Sequence, residues 1–396
     1  MPSPDSRPFD IVLFGATGFT GELTAAYLAD NAPTNCRWAL AGRNLTKLEA
    51  VRSRLAEDHP ELDTLELLPA DVTDPASLKA VAESARVVIT TVGPYLEYGE
   101  ALVAACAAAG TDYVDLTGEP EFVDRMYLRH HQDAVASGAR IVHCCGFDSI
   151  PYDLGVLFTV KQLPDDVPLT VRGVVRAGGA FSGGTFHSAL GQFSRARQMS
   201  KAAGERKQVE PRPEGGRRAR ARAGRPHKDA ELGYWLLPMP TIDPIVVKRS
   251  ASARDDYGPD FTYSHYAGFK KLPMAAGTAI GAATVFGAAQ VPPLRRLMLA
   301  RVPQGEGPSE SKRARSWFTV DLVGEGGGRT VHTRVSGGDP GYGETAKMLA
   351  ESALSLAFDE NPPTAGQVTT SQAMGDALLD RLAKSGISFT VVRSTP

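Results

Sequence analysis

FDIVLFGATGFTG, residues 9–21, joins an apolar run to three evenly spaced glycines. Ile11, Val12, Leu13 and Phe14 show no polar alternation, which predicts a strand covered on both faces, as in a parallel sheet. The run stops at Gly15, with further glycines at Gly18 and Gly21. A helical pattern through Leu23, Ala26 and Tyr27 follows. Strand, glycine turn and helix in that order form a phosphate-binding βα unit. The glycines permit a tight turn and close approach of a pyrophosphate, and the helix N-terminus offers free N–H groups. Gly15, Ala16, Thr17, Gly18, Phe19, Thr20 and Gly21 are therefore candidate cofactor ligands. The glycine spacing alone is weak; its place between strand and helix makes dinucleotide binding the reading.

The next strand, 36–41, ends at Gly42, Arg43 and Asn44. NAD-preferring folds usually carry an acid there, which binds the ribose 2′-hydroxyl and repels a 2′-phosphate. The guanidinium of Arg43 offers that phosphate a bidentate fork, so the expected cofactor is NADP(H), with Asn44 beside it. A solvated arginine opening the next helix is the plainer alternative. After a helix at 45–57 and a strand at 65–69, Asp71 sits where such folds contact the adenine. A turn or cap role ahead of Asp74-Pro75 suits Asp71 equally. The strand 86–92 breaks at Gly93-Pro94-Tyr95, placing Val92, Gly93 and Pro94 beside the nicotinamide ribose. Tyr95 either points into the crevice as a proton donor or packs on the next helix. Glu119 and Glu121 suit the first turn of a helix reaching about residue 137. His143, ending a strand at 139–143, reads as a hydrogen-bonded core residue. Six strands within 1–150 make a doubly wound Rossmann domain of the α/β class.

The 396 residues allow two or more domains, and 42% hydrophobic with 22% charged residues is an ordinary globular balance. A net charge of −2 gives no bulk attraction to nucleic acid. Cys36, Cys106, Cys144 and Cys145 include no C-x-x-C pair, which fits a reducing cytoplasm without a disulfide frame or structural metal. The N-terminal MPSPDSRP lacks the apolar core of a secretory signal.

Several segments together resemble the saccharopine dehydrogenase-like oxidoreductases, nearest their trans-acting enoyl reductase branch. They are the glycine stretch 15–21, Ala41-Gly42-Arg43, Val92-Gly93-Pro94-Tyr95, and the stretches 113–119, 146–155, 341–346 and 373–378. The resemblance implies an NADPH-dependent enoyl reductase acting on a lipid or polyketide-type substrate in (glyco)lipid biosynthesis. It also implies that the region after the strand 169–177 faces the cofactor, which makes Ser182 and His187 candidates for substrate contact. With Tyr95 and Tyr342 they form the expected catalytic set. Two alternatives stay open: a saccharopine dehydrogenase-like imine or amino-acid oxidoreductase, and a non-catalytic NADP-binding scaffold at a membrane. The Tyr-x-x-x-Lys pair of short-chain dehydrogenases matches only Tyr266 and Lys270, outside the cofactor domain.

Residues 151–340 read as an inserted α+β substrate or dimerisation domain. A return segment, 341–396, places its helices and a last strand at 387–392 on the first sheet. Residues 195–228 carry twelve Lys and Arg against three Glu. They read as a flexible loop, either simply solvated or docking on an anionic membrane or acidic carrier. Residues 272–294 hold no charge and lie between Lys270-Lys271 and Arg295-Arg296. An amphiphilic hairpin or helix, shielding a lipid-like substrate or resting on a membrane surface, and an internal helix of the second domain both fit. The glycine-rich 324–329 joins two strands as a long hairpin loop. The expected setting is cytoplasmic or peripheral at the inner face of the plasma membrane. The expected partner is a small-molecule or carrier-bound lipid-like substrate, with a homodimer left open.

Overall fold

A computed structural model of the protein describes residues 6–178, 192, 194–301 and 308–395. Its first six strands are β1 (Phe9–Phe14), β2 (Trp38–Gly42), β3 (Glu66–Pro69), β4 (Ala85–Thr90), β5 (Asp112–Asp115) and β6 (Arg140–Val142). There follow β7 (Leu169–Gly178), β8 (Arg218–Ala221), β9 (His227–Lys228), β10 (Trp235–Pro238) and β11 (Asp260–Phe269). The last four are β12 (Trp317–Gly326), β13 (Arg329–Gly337), β14 (Gly366–Val368) and β15 (Ser388–Thr395). One sheet has the order β14-β6-β5-β4-β1-β2-β3, and every pairing in it is parallel. The direction of strand succession reverses between β1 and β4, opening a crevice at their carboxyl ends. The second sheet is mixed, in the order β15-β13-β12-β7-β11-β10-β9, with β8 pairing β11. The α/β expectation of a Rossmann domain followed by an α+β unit therefore holds.

The apolar run of β1 is explained by the layers around it. Ile11 and Leu13 share a core with Met348 and Leu349 of the helix Gly343–Phe358. Val12 and Phe14 share another with Leu102 and Val103 of the helix Glu100–Ala109. Successive side chains point to opposite faces, and each face is roofed by helices, so neither tolerates polarity. Burying each such side chain contributes roughly 1.5–3 kcal/mol. Gly110 and Gly138, with φ of 70° and 83°, end two of the covering helices in the left-handed conformation.

Three expectations are corrected. The final strand does not return to the first sheet: β15 pairs with β13 of the second. The strand that does return is β14, beside β6. The stretch 324–329 is no long loop, because Gly326 pairs with Arg329 around Gly327 and Gly328. Their φ values of 59° and 80° suit a two-residue hairpin turn. The basic stretch 195–228 is not a loop throughout, since Ala196–Val209 is a helix packed on the helix Pro120–Ser137. Its Arg206 is only 3% exposed, lies over the Tyr127 ring at 3.9 Å, and pairs with Glu210 and Asp124 at 2.8 and 3.4 Å. Arg195, Arg217 and Arg220 likewise pair with Glu121, Asp255 and Asp260.

Asp153 ties the later segments together. Its buried carboxylate accepts from Ser250 Oγ at 2.5 Å, Thr370 Oγ1 at 2.7 Å and the Ser371 N–H at 2.9 Å. This joins the helix Ile150–Val160 to the helices Asp243–Ala253 and Thr370–Ala373.

Removing the buried Arg206 cation takes the partner from the Tyr127 ring and leaves Asp124 and Glu210 to Arg249 alone. Arg206→Ala is expected to destabilise the protein by about 2–3 kcal/mol, below the full penalty for an unpaired buried charge. Urea unfolding measures this, and an unchanged midpoint and slope would contradict the buried pairing.

Candidate active site

The phosphate turn is set by two glycines that the fold itself requires. Gly15 has φ +92°, and a Cβ there would meet Val92 Cγ2 at 2.7 Å and Thr91 Oγ1 at 2.8 Å. At Gly21 a Cβ would come within 2.2 Å of the Gly15 carbonyl oxygen. Gly18 is different: a Cβ there would lie 3.5 Å from that oxygen and clash with nothing in the protein. Gly18 also caps the helix Phe19–Asn31 without a side-chain bond. A glycine that the protein's own packing does not demand, at an uncapped helix N-terminus, leaves room for a phosphate against the backbone. Thr91 Oγ1 donates to the Gly15 carbonyl at 3.0 Å, fastening this turn to the end of β4. Val92, Gly93 and Pro94 therefore border it, with Ala16 buried beneath and Thr17, Phe19 and Thr20 half-buried around it.

Arg43 is exposed at the end of β2, where a 2′-phosphate would sit. Asn44 caps the helix Leu45–Asp58 through Oδ1, accepting the Lys47 N–H at 3.0 Å. Asp71 forms a turn, its Oδ1 accepting from Thr73 N and Oγ1 at 2.8 and 2.7 Å. Those bonds, with a smaller contribution from Arg43, hold its carboxyl below the usual range. The cap of the next helix is Asp74, not Asp71. The residues at this end of the sheet fit a phosphorylated dinucleotide.

The catalytic expectations fare differently. Tyr95 is 7% exposed and its hydroxyl is spent inside the domain, donating to the Thr90 carbonyl and accepting the Leu116 N–H, both at 3.2 Å. Burial drives its phenol well above its ordinary range. Tyr95 therefore braces β4 against the turn after β5 and does not face a substrate. Glu119, expected to serve its own helix, instead accepts the Tyr95 and Leu96 N–H groups at 3.3 and 2.9 Å. Tyr342 comes to the phosphate turn, edge-on to Phe19 at 4.8 Å. Ser182 and His187 lie outside the described residues. His143 is a core residue as expected, with Nδ1 2.6 Å from Asp115 Oδ2.

Other groups complete the crevice. The Arg313 guanidinium lies 5.6 Å from the Phe19 ring centre, bringing a cation to the phosphate turn. The loop after β6 meets the same wall, the Phe147 N–H donating to Thr345 Oγ1 at 3.2 Å. Next to Phe147 is Asp148, exposed to solvent and packed so closely on the loop after β5 that a Cβ on Gly118 would come within 2.7 Å of its Oδ2. The protein packed around its base pushes its carboxyl up to about 6 while its tip keeps solvent contact. Asp243, buried behind it, is raised well above its ordinary range by desolvation first and by Asp148 second. Its Oδ2 lies 3.7 Å from Nε2 of His265, whose Nδ1 is 3.0 Å from the Tyr263 hydroxyl. Burial lowers that imidazole to about 3, so it is neutral. Asp148 had a sequence signal in its position just past a parallel strand, whereas nothing in the pattern marks Arg313, Asp243 or His265. A separate cleft lined by Arg86, Gly110, Asp112, Gly138 and Arg140 lies at the amino ends of the strands, away from the crevice.

Arg43→Asp should weaken NADPH at least roughly tenfold while sparing NADH, since a charged hydrogen bond is worth about 1.5–3 kcal/mol. Arg313→Ala should weaken both nucleotides alike, because its cation stands by the phosphate turn at Phe19 and not by Arg43. Titration calorimetry separates the two; equal loss of both nucleotides from Arg43→Asp would remove the 2′-phosphate assignment.

Residues 11–142 match the saccharopine dehydrogenase NADP binding domain. A protein named putative trans-acting enoyl reductase from Mycobacterium tuberculosis is 40% identical, with 98% of each chain covered. A trans-acting enoyl reductase of Mycobacterium leprae is 35% identical over 99% of each. The apo L-Glu-forming saccharopine dehydrogenase of Saccharomyces cerevisiae shares the fold, with TM-score 0.57 at 12% identity, covering 97% of this chain and all of that one. The chain is an NADP(H)-dependent oxidoreductase with a saccharopine dehydrogenase-type NADP-binding domain, and it belongs to the trans-acting enoyl reductase family.

Proposed function

We propose that the protein reduces the carbon–carbon double bond of an enoyl thioester, carrier-bound and lipid- or polyketide-like, in lipid or glycolipid biosynthesis. The observation that carries this reading is end-to-end likeness to relatives so named, which includes the second domain and not the nucleotide half alone. When bound, NADPH supplies the hydride for the β-carbon. The electron pair of the double bond moves to the thioester oxygen, and the enolate formed takes a proton at the α-carbon.

The chain's own contribution is position and that proton. Glycines 15, 18 and 21 with Arg43 and Arg313 hold the nucleotide on the carboxyl ends of the strands. Asp148 supports the donor role because it is an acid with solvent contact, able to be reprotonated after each turnover. Asp243, buried behind it and raised well above its ordinary range by that burial first and by Asp148 second, leaves Asp148 as the carboxyl that exchanges with solvent. His265, neutral and buried, stays out of proton exchange.

Purified protein with enoyl thioesters of increasing acyl length should oxidise NADPH, followed by loss of nicotinamide absorbance. Oxidation with imines but with none of the thioesters would sink the proposal. The donor must be protonated, so kcat/KM should fall as pH rises through about 6. Asp148→Asn should lower kcat and erase that limb while NADPH affinity is retained. A pH profile unchanged by the substitution would take the proton from elsewhere.

A further inference from the structure

The helix Leu272–Ala289 is, among the described residues, the one helix long and apolar enough to cross a bilayer, yet 11% of it is buried. It leaves the end of β11, turns, and is followed by the helix Pro292–Arg301. At about 100° per residue, Ala275 and Ala289, its two buried residues, fall on one stripe against the protein body. Ile280, 68% exposed, points the opposite way, with Leu272 and Met274 on the flanks at 50% and 58%. Val291, Leu294 and Leu297 of the following turn and helix are 44%, 46% and 49% exposed. The apolar exposure thus covers far more than one docking stripe, which suits lipid better than the groove of a protein partner.

Charge selects the kind of lipid. Lys270, Lys271, Arg295 and Arg296 stand at the two ends of the uncharged stretch, and 270–301 contains no acid. The ends of an 18-residue helix are about 27 Å apart. With the helix lying flat, both cation pairs reach the headgroups while Ile280 enters the acyl layer. The 195–228 stretch, by contrast, spends Arg195, Arg206, Arg217 and Arg220 on internal ion pairs.

We propose that the helical pair 272–301 docks the protein flat on an anionic phospholipid surface, through its apolar face and these four cations. The surface begins five residues beyond His265 on β11, about 17 Å along the strand from the buried groups behind Asp148. Docking therefore sets the crevice next to the layer from which a long acyl chain would enter.

The test is flotation of the full chain with vesicles of phosphatidylcholine alone or mixed with phosphatidylglycerol. Binding is expected to the mixed vesicles. It should fall at least roughly tenfold on phosphatidylcholine alone, in high salt, or when the four cations become Gln. Ile280→Asp, an exposed change that leaves NADPH binding intact, should abolish it. Absence of flotation with either vesicle, or flotation unaffected by both sets of substitutions, overturns the proposal. So does a wild-type dimer that Ile280→Asp turns into a monomer without vesicle binding, which would assign the face to a second copy of the chain.

Discussion

The contact between the Gly15 carbonyl and the α-carbon of Gly21 is the constraint from which the nucleotide half follows. With 2.2 Å available where a Cβ at residue 21 would go, the helix can lie on the strand end only if that residue is glycine. The close packing points the first turn of the helix at the space beyond β1. Gly15, at φ +92°, bends the chain into that position, and Thr91 pins the bend to β4. The phosphate site is thus a by-product of strand-to-helix packing. Gly18 is the one glycine of the three left free of that packing.

The substrate half depends on long-range closure. The helix Gly343–Phe358 roofs β1, β4 and β5, so the Rossmann sheet is completed by chain that follows the whole second domain. Its N-terminus brings Tyr342 to Phe19 and Thr345 to Phe147, which fixes the loop bearing Asp148. From the other side, the helix Asp243–Ala253 delivers Asp243, and β11 delivers Tyr263 and His265. Setting a buried carboxyl behind a solvent-exposed one is costly, and it is met by keeping both protonated more readily than usual.

This division explains what was legible in the sequence. The glycine turn, Arg43 and the six strands are local or strictly periodic, and they appear close to where the residues imply. Tyr95 was misleading because its position is right, just past a central strand, while its hydroxyl is captured by Thr90 and Leu116 across tertiary contacts. The basic run misled through composition: high charge reads as solvated chain until partners such as Glu121 and Asp124 fold against it. The last strand has the same β pattern whichever sheet it joins, so its pairing with β13 was not written locally. Asp243, His265 and Arg313 converge only through the fold, and no spacing could group them.

The central claim is hydride delivery to an enoyl β-carbon in the crevice at the ends of β1 and β4. Turnover with NADPH carrying deuterium at both nicotinamide C4 positions, read by mass spectrometry and NMR of the saturated product, tests it directly. One deuterium at the β-carbon, with a solvent proton at the α-carbon, is the predicted result. Deuterium on the carbonyl carbon, or a product carrying none, would contradict it.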